Sequence, residues 1–550
     1  MQSSRRGAAF AFDQRIIALL MGLSVGVVGW LTYARILSYF FTASDSLTII
    51  ETSRVYSLQD ALGLFSQQLM GSAEFVRVGA FFRPLSVLTY GLDYLAWGLN
   101  PYGYHLTDLA LHVIASVLVS AMLWVVTGGR KAVSWLGALI FTTHPILVEV
   151  VPGVARRFDV IAAIFMLLSL TLFVFQQTSR SSRRIPLLTL SVLGYAMALG
   201  AKEIAIILPA MVAACVSMLP CDNGNKAARP LDKARRVLHA CFPYLVMTAL
   251  YVMWRIHVIG GLGGYSSLDS SPSGMLSYWL STIATFGLDL AFPATSLRAL
   301  ADSFGPGRLV ILLVSVGALI LLAAGLARRL APSDTFRRLA GSHGGRIVIF
   351  LLVCLFLPLG LFLASLSFSH RSMYVPTIFF SAILSFAFVE SVRQAVAGYR
   401  AIRRSLGSRC WSVAGAGIAV SSALMIANLA RLSPLVVDYS EWRESGEVAS
   451  TILRQLADAA VSFPPDARIR IYDLPQGIAS RRTGIAQVKS VTYPLGYGIK
   501  SWLNFQVPGN RFSVSVDSVA ILPDAVGRLL VESRIGNAAE IIVTIRPAAK

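Results

Sequence analysis

Charge is scarce in this 550-residue chain: Asp, Glu, Lys and Arg make up 14% of it, while 55% is hydrophobic and the mean hydropathy is +0.66. Soluble domains carry about 25% charged residues, so the composition excludes an ordinary soluble fold and places the chain in a bilayer. Cysteine is scarce as well. The five cysteines (Cys215, Cys221, Cys241, Cys354, Cys410) fall in or beside apolar runs. Their odd count and unpaired spacing give neither a disulfide framework nor a zinc signature. The alternating polarity of a membrane barrel is missing, which leaves helices as the spanning element. No phosphate-binding glycine loop, dinucleotide fingerprint, HExxH or GxSxG motif occurs, so ATP-driven transport and serine hydrolysis lose support. No internal repeat of roughly 20–50 residues is visible either.

What the sequence does have is a series of apolar runs, each about 20 residues long and suited to a spanning helix. They predict eleven spans, near 15–37, 106–127, 132–151, 159–176, 185–201, 204–220, 238–256, 307–327, 347–366, 374–392 and 410–430. The first follows a basic start but exceeds a signal-peptide core and lacks a clear small-residue cleavage site, so it reads as an uncleaved helix. The net charge of +20 is concentrated between spans and does not point to nucleic acid. Segments 1–14, 128–131, 177–184, 221–236, 328–346 and 393–409 hold 22 Lys and Arg against four Asp. That bias puts the amino terminus inside and the carboxy terminus outside. A further apolar stretch, "MLSYWLSTIATFGLDLAFP" (275–293), would invert every later loop if it spanned. It is expected as a re-entrant or interfacial helix within an outer segment of about 257–306.

The organisation expected is therefore an α-helical polytopic membrane domain, 1–430, with a long first outer loop at about 38–105. A C-terminal periplasmic α+β domain follows at 431–550, where 14 Lys/Arg face 11 Asp/Glu. It opens with an amphipathic pattern, "EWRESGEVASTILRQLADAAV", and continues with strand-like "ARIRIYDL", "RFSVSVDSVAIL" and "EIIVTIRP". Arg481, Arg482, Tyr493 and Trp502 in this tail suit glycan or acceptor binding, or simply a solvated lid.

Ionisable residues at membrane depth are costly and call for a function. The stretch "HPILVEVVPGVARRFDV" (144–160) holds His144, Glu149, Arg156, Arg157 and Asp159; Lys202–Glu203 and His370–Arg371 add similar groups. All fall on the predicted outer side, against the charge bias, where basic residues suit an anionic ligand such as phosphate. Singly, each also reads as an interfacial anchor. Asp45, in "FFTASDSLTII", suits a general base or a metal ligand, or else a helix N-cap. His144 and Glu149, five apart, point about 140° away from each other on a helix, and His144 before Pro145 fits a kink. Glu149 and Asp159 are expected to pair with arginines.

These stretches resemble a family. "FFRPLSVLTYGLDYLAWGLNPYGYHLTDLALHV" (81–113), "FTTHPILVEVVPGVARRFDVIAAIFMLLSL" (141–170), "ALGAKEIAIILPAM" (198–211) and "FSHRSMYVPTIFF" (368–380) look like successive motifs of GT-C glycosyltransferases. The likeness is to the membrane portion of the TPR-containing protein O-mannosyltransferases and their bacterial relatives, and runs over about residues 40 to 390. It implies a multi-span enzyme that takes sugar from a polyprenyl-phosphate donor on the outer face. The acidic catalytic position of the family's first loop matches Asp45, with Glu51 as understudy; the family's frequent acidic pair is replaced here by Ser44 and Ser46. The likeness implies Arg156, Arg157, Lys202, His370 and Arg371 for the donor phosphate. Arg83, His105, His144, Glu149, Asp159, Glu203 and Tyr374 are placed as residues shaping the site. No TPR repeats follow residue 431. No cofactor or metal ligand set is implied, although a divalent metal stays open.

The expected function is glycosyl transfer to a glycan, lipid or protein acceptor, inverting, with Asp general base, in a bacterial inner membrane with the site facing the periplasm. The alternatives are a multi-span transporter or flippase for a lipid-linked or anionic substrate, and a non-catalytic scaffold of the same fold.

Overall fold

The computed structural model describes residues 2–43, 45–71, 79–178, 181–219, 230–265, 271–291, 342–366, 368–402, 409–475, 477–479, 490–492, 495, 497–509, 512–520, 529–535 and 540–547. Among these, seven helical stretches are long and apolar enough to cross a membrane: Ile16–Ser38, Pro101–Val126, Val154–Gln177, Ser182–Ala201, Leu231–Ile259, His343–Ser365 and His370–Gln394. Lys131–Thr142, Glu203–Met218 and Gly417–Leu432 are shorter apolar helices. The chain is thus a multi-pass membrane protein; seven of the eleven expected spans coincide with these long helices, and three, 132–151, 204–220 and 410–430, overlap only the shorter ones. The eleventh, 307–327, lies outside the described residues, as do Arg481, Arg482 and Tyr493.

Three boundaries differ from expectation, each for a local reason. The run 132–151 is not one span. Its helix stops at Thr142, His144 is extended, and Pro145 opens a 3₁₀ turn, Pro145–Glu149. Proline cannot donate to the preceding turn. A second 3₁₀ turn, Val154–Arg156, follows Pro152–Gly153 before the next helix, Arg157–Thr178. The run 204–220 likewise starts as a 3₁₀ turn, Glu203–Ile207, before Leu208–Met218. The helix expected from 106 already begins at Pro101, because Asn100 caps it by accepting from Tyr102 N (3.1 Å) and proline fits the first helical position.

The stretch expected as an interfacial segment forms the helix Pro272–Ala291. It lies against the end of His343–Ser365, with Tyr278 OH donating to Phe362 O (3.0 Å) and Trp279 Nε1 to Leu363 O (3.0 Å).

The first loop is folded. It carries the helices Ser46–Thr52, Leu58–Gly63 and Pro84–Trp97. Gly91 lets the last pass close to residues 53–55: a Cβ there would sit 2.5 Å from Ser53 O and 2.7 Å from Val55 Cγ2.

The tail forms the expected amphipathic helix, Ser440–Ala460, beside a four-stranded mixed sheet. Its order is Ser513–Val516, Arg468–Tyr472, Glu540–Pro547, Leu529–Ile535; the first three strands run parallel and the last antiparallel. Ile469 and Ile471 are buried while Arg468 is exposed, the two-residue alternation of a sheet with one face covered. The strand Leu529–Ile535 was not expected from the sequence. One apolar core holds residues of both first loop and tail: Phe41, Leu47 and Ile50 pack in the same cluster as Ile452, Leu456 and Ile499.

Candidate functional site

The broken helices place short turns side by side at one end of the bundle. Four 3₁₀ turns, Pro145–Glu149, Val154–Arg156, Glu203–Ile207 and His370–Met373, carry most of the charges that the sequence singled out. Residues just before two of these turns are extended: Lys202 at φ −160° and ψ 147°, Ser369 at φ −147° and ψ 157°.

The segment around Asp45 is tied to the second of these turns. Thr42 Oγ1 donates to Pro152 O, Ser46 Oγ donates to Thr42 O, and Ala155 N donates to Ser46 Oγ (3.2 Å). Asp45 occupies the N-cap position of Ser46–Thr52, yet its side chain makes no capping hydrogen bond. It lines a cleft instead. Arg83, Arg156, Asp159, Lys202 and Arg371 share that cleft, with Ile49, Leu69, Met70, Phe81, Ala155 and Phe158 as its apolar walls. Four cations against two carboxylates leave the lining formally at +2.

Each of three cations is paired with a carboxylate. Arg156 Nη1 donates to Glu149 Oε2 (3.0 Å) and to Glu149 O, and its guanidinium sits 5.0 Å from the Trp442 ring. Arg156 Nε is buried and has no hydrogen-bond partner among the described residues. Lys202 Nζ donates to Asp159 Oδ1 (2.5 Å). Arg83 grips Glu203 through Nε (3.1 Å) and Nη2 (2.9 Å), and Arg255 Nη1 reaches the other oxygen of Glu203 (2.8 Å). Burial lowers the proton affinity of Lys202 relative to an ordinary lysine; the Asp159 carboxylate opposes this, while Arg83 and Arg371 add to it.

The remaining expected residues fall elsewhere. Arg157, grouped with Arg156 on sequence, is a correction: it faces the interior, against Asp93 (2.6 Å) and Asp108 (2.5 Å), and lies over the Tyr90 ring at 4.4 Å. Helix geometry explains this, since Arg157 begins a helix whereas Arg156 ends a 3₁₀ turn. His370 pairs with Asp289 Oδ2 at 3.3 Å. His144 Nε2 donates to Leu290 O (3.1 Å) and Nδ1 accepts from Ile146 N (3.2 Å), which fixes the neutral Nε2–H tautomer. His105 Nε2 donates to Phe40 O (3.1 Å), and Tyr374 OH meets His112 Nδ1 (2.8 Å) inside the bundle. Glu51 lies across the Ser46–Thr52 helix from Asp45, in a second cavity with Lys500 and Asn504. Among the described residues no group of three or more His, Cys, Asp or Glu is arranged to hold a metal ion.

Sequence reasoning missed Asp93, Asp108, Arg255, Asp289 and Trp442. Asp108 and Arg255 carried a signal, because both sit within predicted spans where a charge demands a partner.

No family model matches the chain. Part of it is similar in sequence to protein O-mannosyl-transferases, so the likeness expected from the motifs is present. It is 32% identical over 161 residues to protein O-mannosyl-transferase TMTC4 of Mus musculus, covering 27% of this chain and 22% of that protein. It is 29% identical over 223 residues to Tmtc1 of Drosophila melanogaster (40% and 25%) and 36% identical over 93 residues to TMTC2 of Homo sapiens (17% and 11%). The chain spans about a quarter or less of the length of these curated relatives. Among solved structures, it aligns with the oligosaccharyltransferase of Archaeoglobus fulgidus in the apo form at a TM-score of 0.43 and 11% identity, covering 93% of this chain and 65% of the other. It aligns with ArnT from Cupriavidus metallidurans bound to undecaprenyl phosphate at a TM-score of 0.33 and 15% identity, covering 90% and 85%.

Proposed function

We propose that this chain is a membrane glycosyltransferase of the GT-C type that moves a sugar from a polyprenyl-phosphate donor to an acceptor, with its site on the outer, periplasmic side. The observation that carries the reading is the cleft in which Asp45 shares one small space with Arg83, Arg156, Lys202 and Arg371. The partial similarity to protein O-mannosyl-transferases supports sugar transfer as the chemistry. The outer orientation rests on the 22 Lys and Arg against four Asp in the opposite loops.

In this reading the donor's phosphate lies against Arg156, Lys202 and Arg371, with its polyprenyl chain in lipid. The acceptor oxygen forms a bond to the anomeric carbon as the bond from that carbon to the phosphate oxygen breaks. The bonding pair leaves with polyprenyl phosphate, whose growing charge the preplaced cations stabilise. The acceptor proton passes to Asp45. The leaving group departs as an anion, so a general acid is not required, and a single displacement inverts the anomeric centre. Glu149, Asp159 and Glu203 hold the cations in place before the donor arrives, which avoids reorganisation during the reaction.

The test is transfer from a panel of polyprenyl-phosphate sugars by the purified full chain in detergent, comparing wild type with Asp45→Asn. Transfer by the wild type that disappears in a folded Asp45→Asn supports the reading. Transfer that persists moves the base to another carboxylate, and no transfer from any donor returns the transporter and scaffold alternatives.

A further inference from the structure

The Ser46–Thr52 helix has a second functional face. Asp45 and Ile49, four residues apart, turn to the cationic cleft, while Thr48, Glu51 and Thr52 turn to a separate cavity of about 370 Å³. The opposite wall of that cavity comes from the tail helix Tyr497–Gln506, through Lys500, Ser501 and Asn504. Two hydrogen bonds join the walls: Asn504 Nδ2 donates to Glu51 Oε1 (2.7 Å), and Ser501 Oγ donates to Thr48 Oγ1 (3.1 Å). Gln67 and Gln68 add two more amides to its lining, and Leu64, Met70 and Val87 add apolar side chains.

The chemistry of this lining differs from that of the cleft. It has one carboxylate and one ammonium, which balance, so it offers no surplus charge to select a phosphate or a cation. Three side-chain amides line it, each with a donor and an acceptor end, and Asn504, Thr48, Thr52 and Ser501 are partly engaged in hydrogen bonds that fix the walls. A lining that mixes amides with apolar side chains matches a ligand with many hydroxyls on its edges and a C–H face. The volume lies within the range of small-molecule sites, about 300–1,000 Å³.

We propose that this cavity binds a neutral sugar unit of the acceptor, so that the acceptor is a glycan. The Ser46–Thr52 helix then separates an acceptor site from the donor site, and the tail takes part in substrate recognition by supplying one wall. The acceptor role rests on the transferase reading above, whereas sugar binding at the cavity stands apart from it.

Saturation-transfer NMR on the full chain in detergent tests the inference, with glucose, mannose, N-acetylglucosamine and their disaccharides as probes and inorganic phosphate as the anion control. At least one neutral sugar is expected to bind the wild type, with affinity reduced fivefold or more in Gln68→Leu and in Asn504→Leu and unchanged in Arg156→Gln. Gln68→Leu serves as the readout where Asn504→Leu, which also breaks the Glu51 bond, does not fold. Where transfer is found, Gln68→Leu is expected to raise the KM for acceptor and leave kcat. No binding of any probe, or binding that survives both cavity variants, overturns the inference. Binding that is lost in Arg156→Gln also overturns it, by assigning the sugar to the cleft. Sugar binding without transfer from any donor sinks the transferase reading alone.

Discussion

Lys202 Nζ lies 2.5 Å from Asp159 Oδ1, and the two come from separate segments, the start of the helix Arg157–Thr178 and the extended residue before Glu203–Ile207, that meet only in the folded chain. Asp159 is almost wholly buried, so it relies on this ammonium for compensation. The same ammonium lines the cleft that holds Asp45.

A pH dependence follows. Lys202 has a lowered proton affinity because it is buried, so it loses its charge at a lower pH than a solvated lysine does. Donor affinity is therefore expected to decline on the alkaline side, beginning below the ordinary lysine range. Arginine stays charged throughout, and Lys202→Arg should flatten that limb. Donor Kd measured against pH for both proteins checks this; an identical alkaline limb would remove Lys202 from the phosphate contact.

Adjacent arginines should differ in donor binding, because only Arg156 lines the cleft. Arg157→Ala strands Asp93 and Asp108 in the interior and is expected to cost about 3–5 kcal/mol of stability, the range for breaking a buried ion pair. Arg156→Ala leaves the Glu149 carboxylate without its partner and should lower the unfolding temperature as well, but it alone should also weaken donor binding tenfold or more. Thermal unfolding in detergent, paired with donor titration, separates the two.

Asp45→Asn is expected to lower kcat by about 10²–10⁴, the usual contribution of a positioned general base, with little change in the KM for donor. An equal rise in the KM for donor would instead mark Asp45 as a binding group.

Gly91→Ala tests how the first loop holds the site. Alanine normally favours a helix over glycine by about 1 kcal/mol, but here its Cβ would meet Ser53 O at 2.5 Å. The expected result is a loss of about 1–3 kcal/mol, the cost of overpacking, with reduced transfer because the Ser46–Thr52 helix is displaced. A neutral or stabilising effect in thermal unfolding would show that the contact relaxes freely.

The long apolar runs were legible because twenty consecutive apolar residues leave few alternatives. The tail's alternating strands were legible for a similar reason, since Ile469 and Ile471 alternate with arginines. Short turns were harder to read. Whether Arg156 or Arg157 faces the cleft depends on where a 3₁₀ turn gives way to a helix, and both arginines look alike on paper. The separation of Asp45 from Glu51 was available in principle from helical spacing, but the cavity beyond Glu51 needs Lys500 and Asn504, some 450 residues away along the chain. The ligands of Arg157 were hidden similarly: Asp93 and Asp108 come from two helices whose packing no local pattern reveals.

The apolar core common to the first loop and the tail has a consequence for evolution and for engineering. Phe41, Leu47 and Ile50 flank Asp45 in sequence, yet they are packed together with Ile452, Leu456 and Ile499. The tail is therefore not an interchangeable module. A chimera carrying a foreign tail on this bundle would unseat the helix that begins beside Asp45 unless the first loop were exchanged along with it, so the two segments should be inherited as one unit.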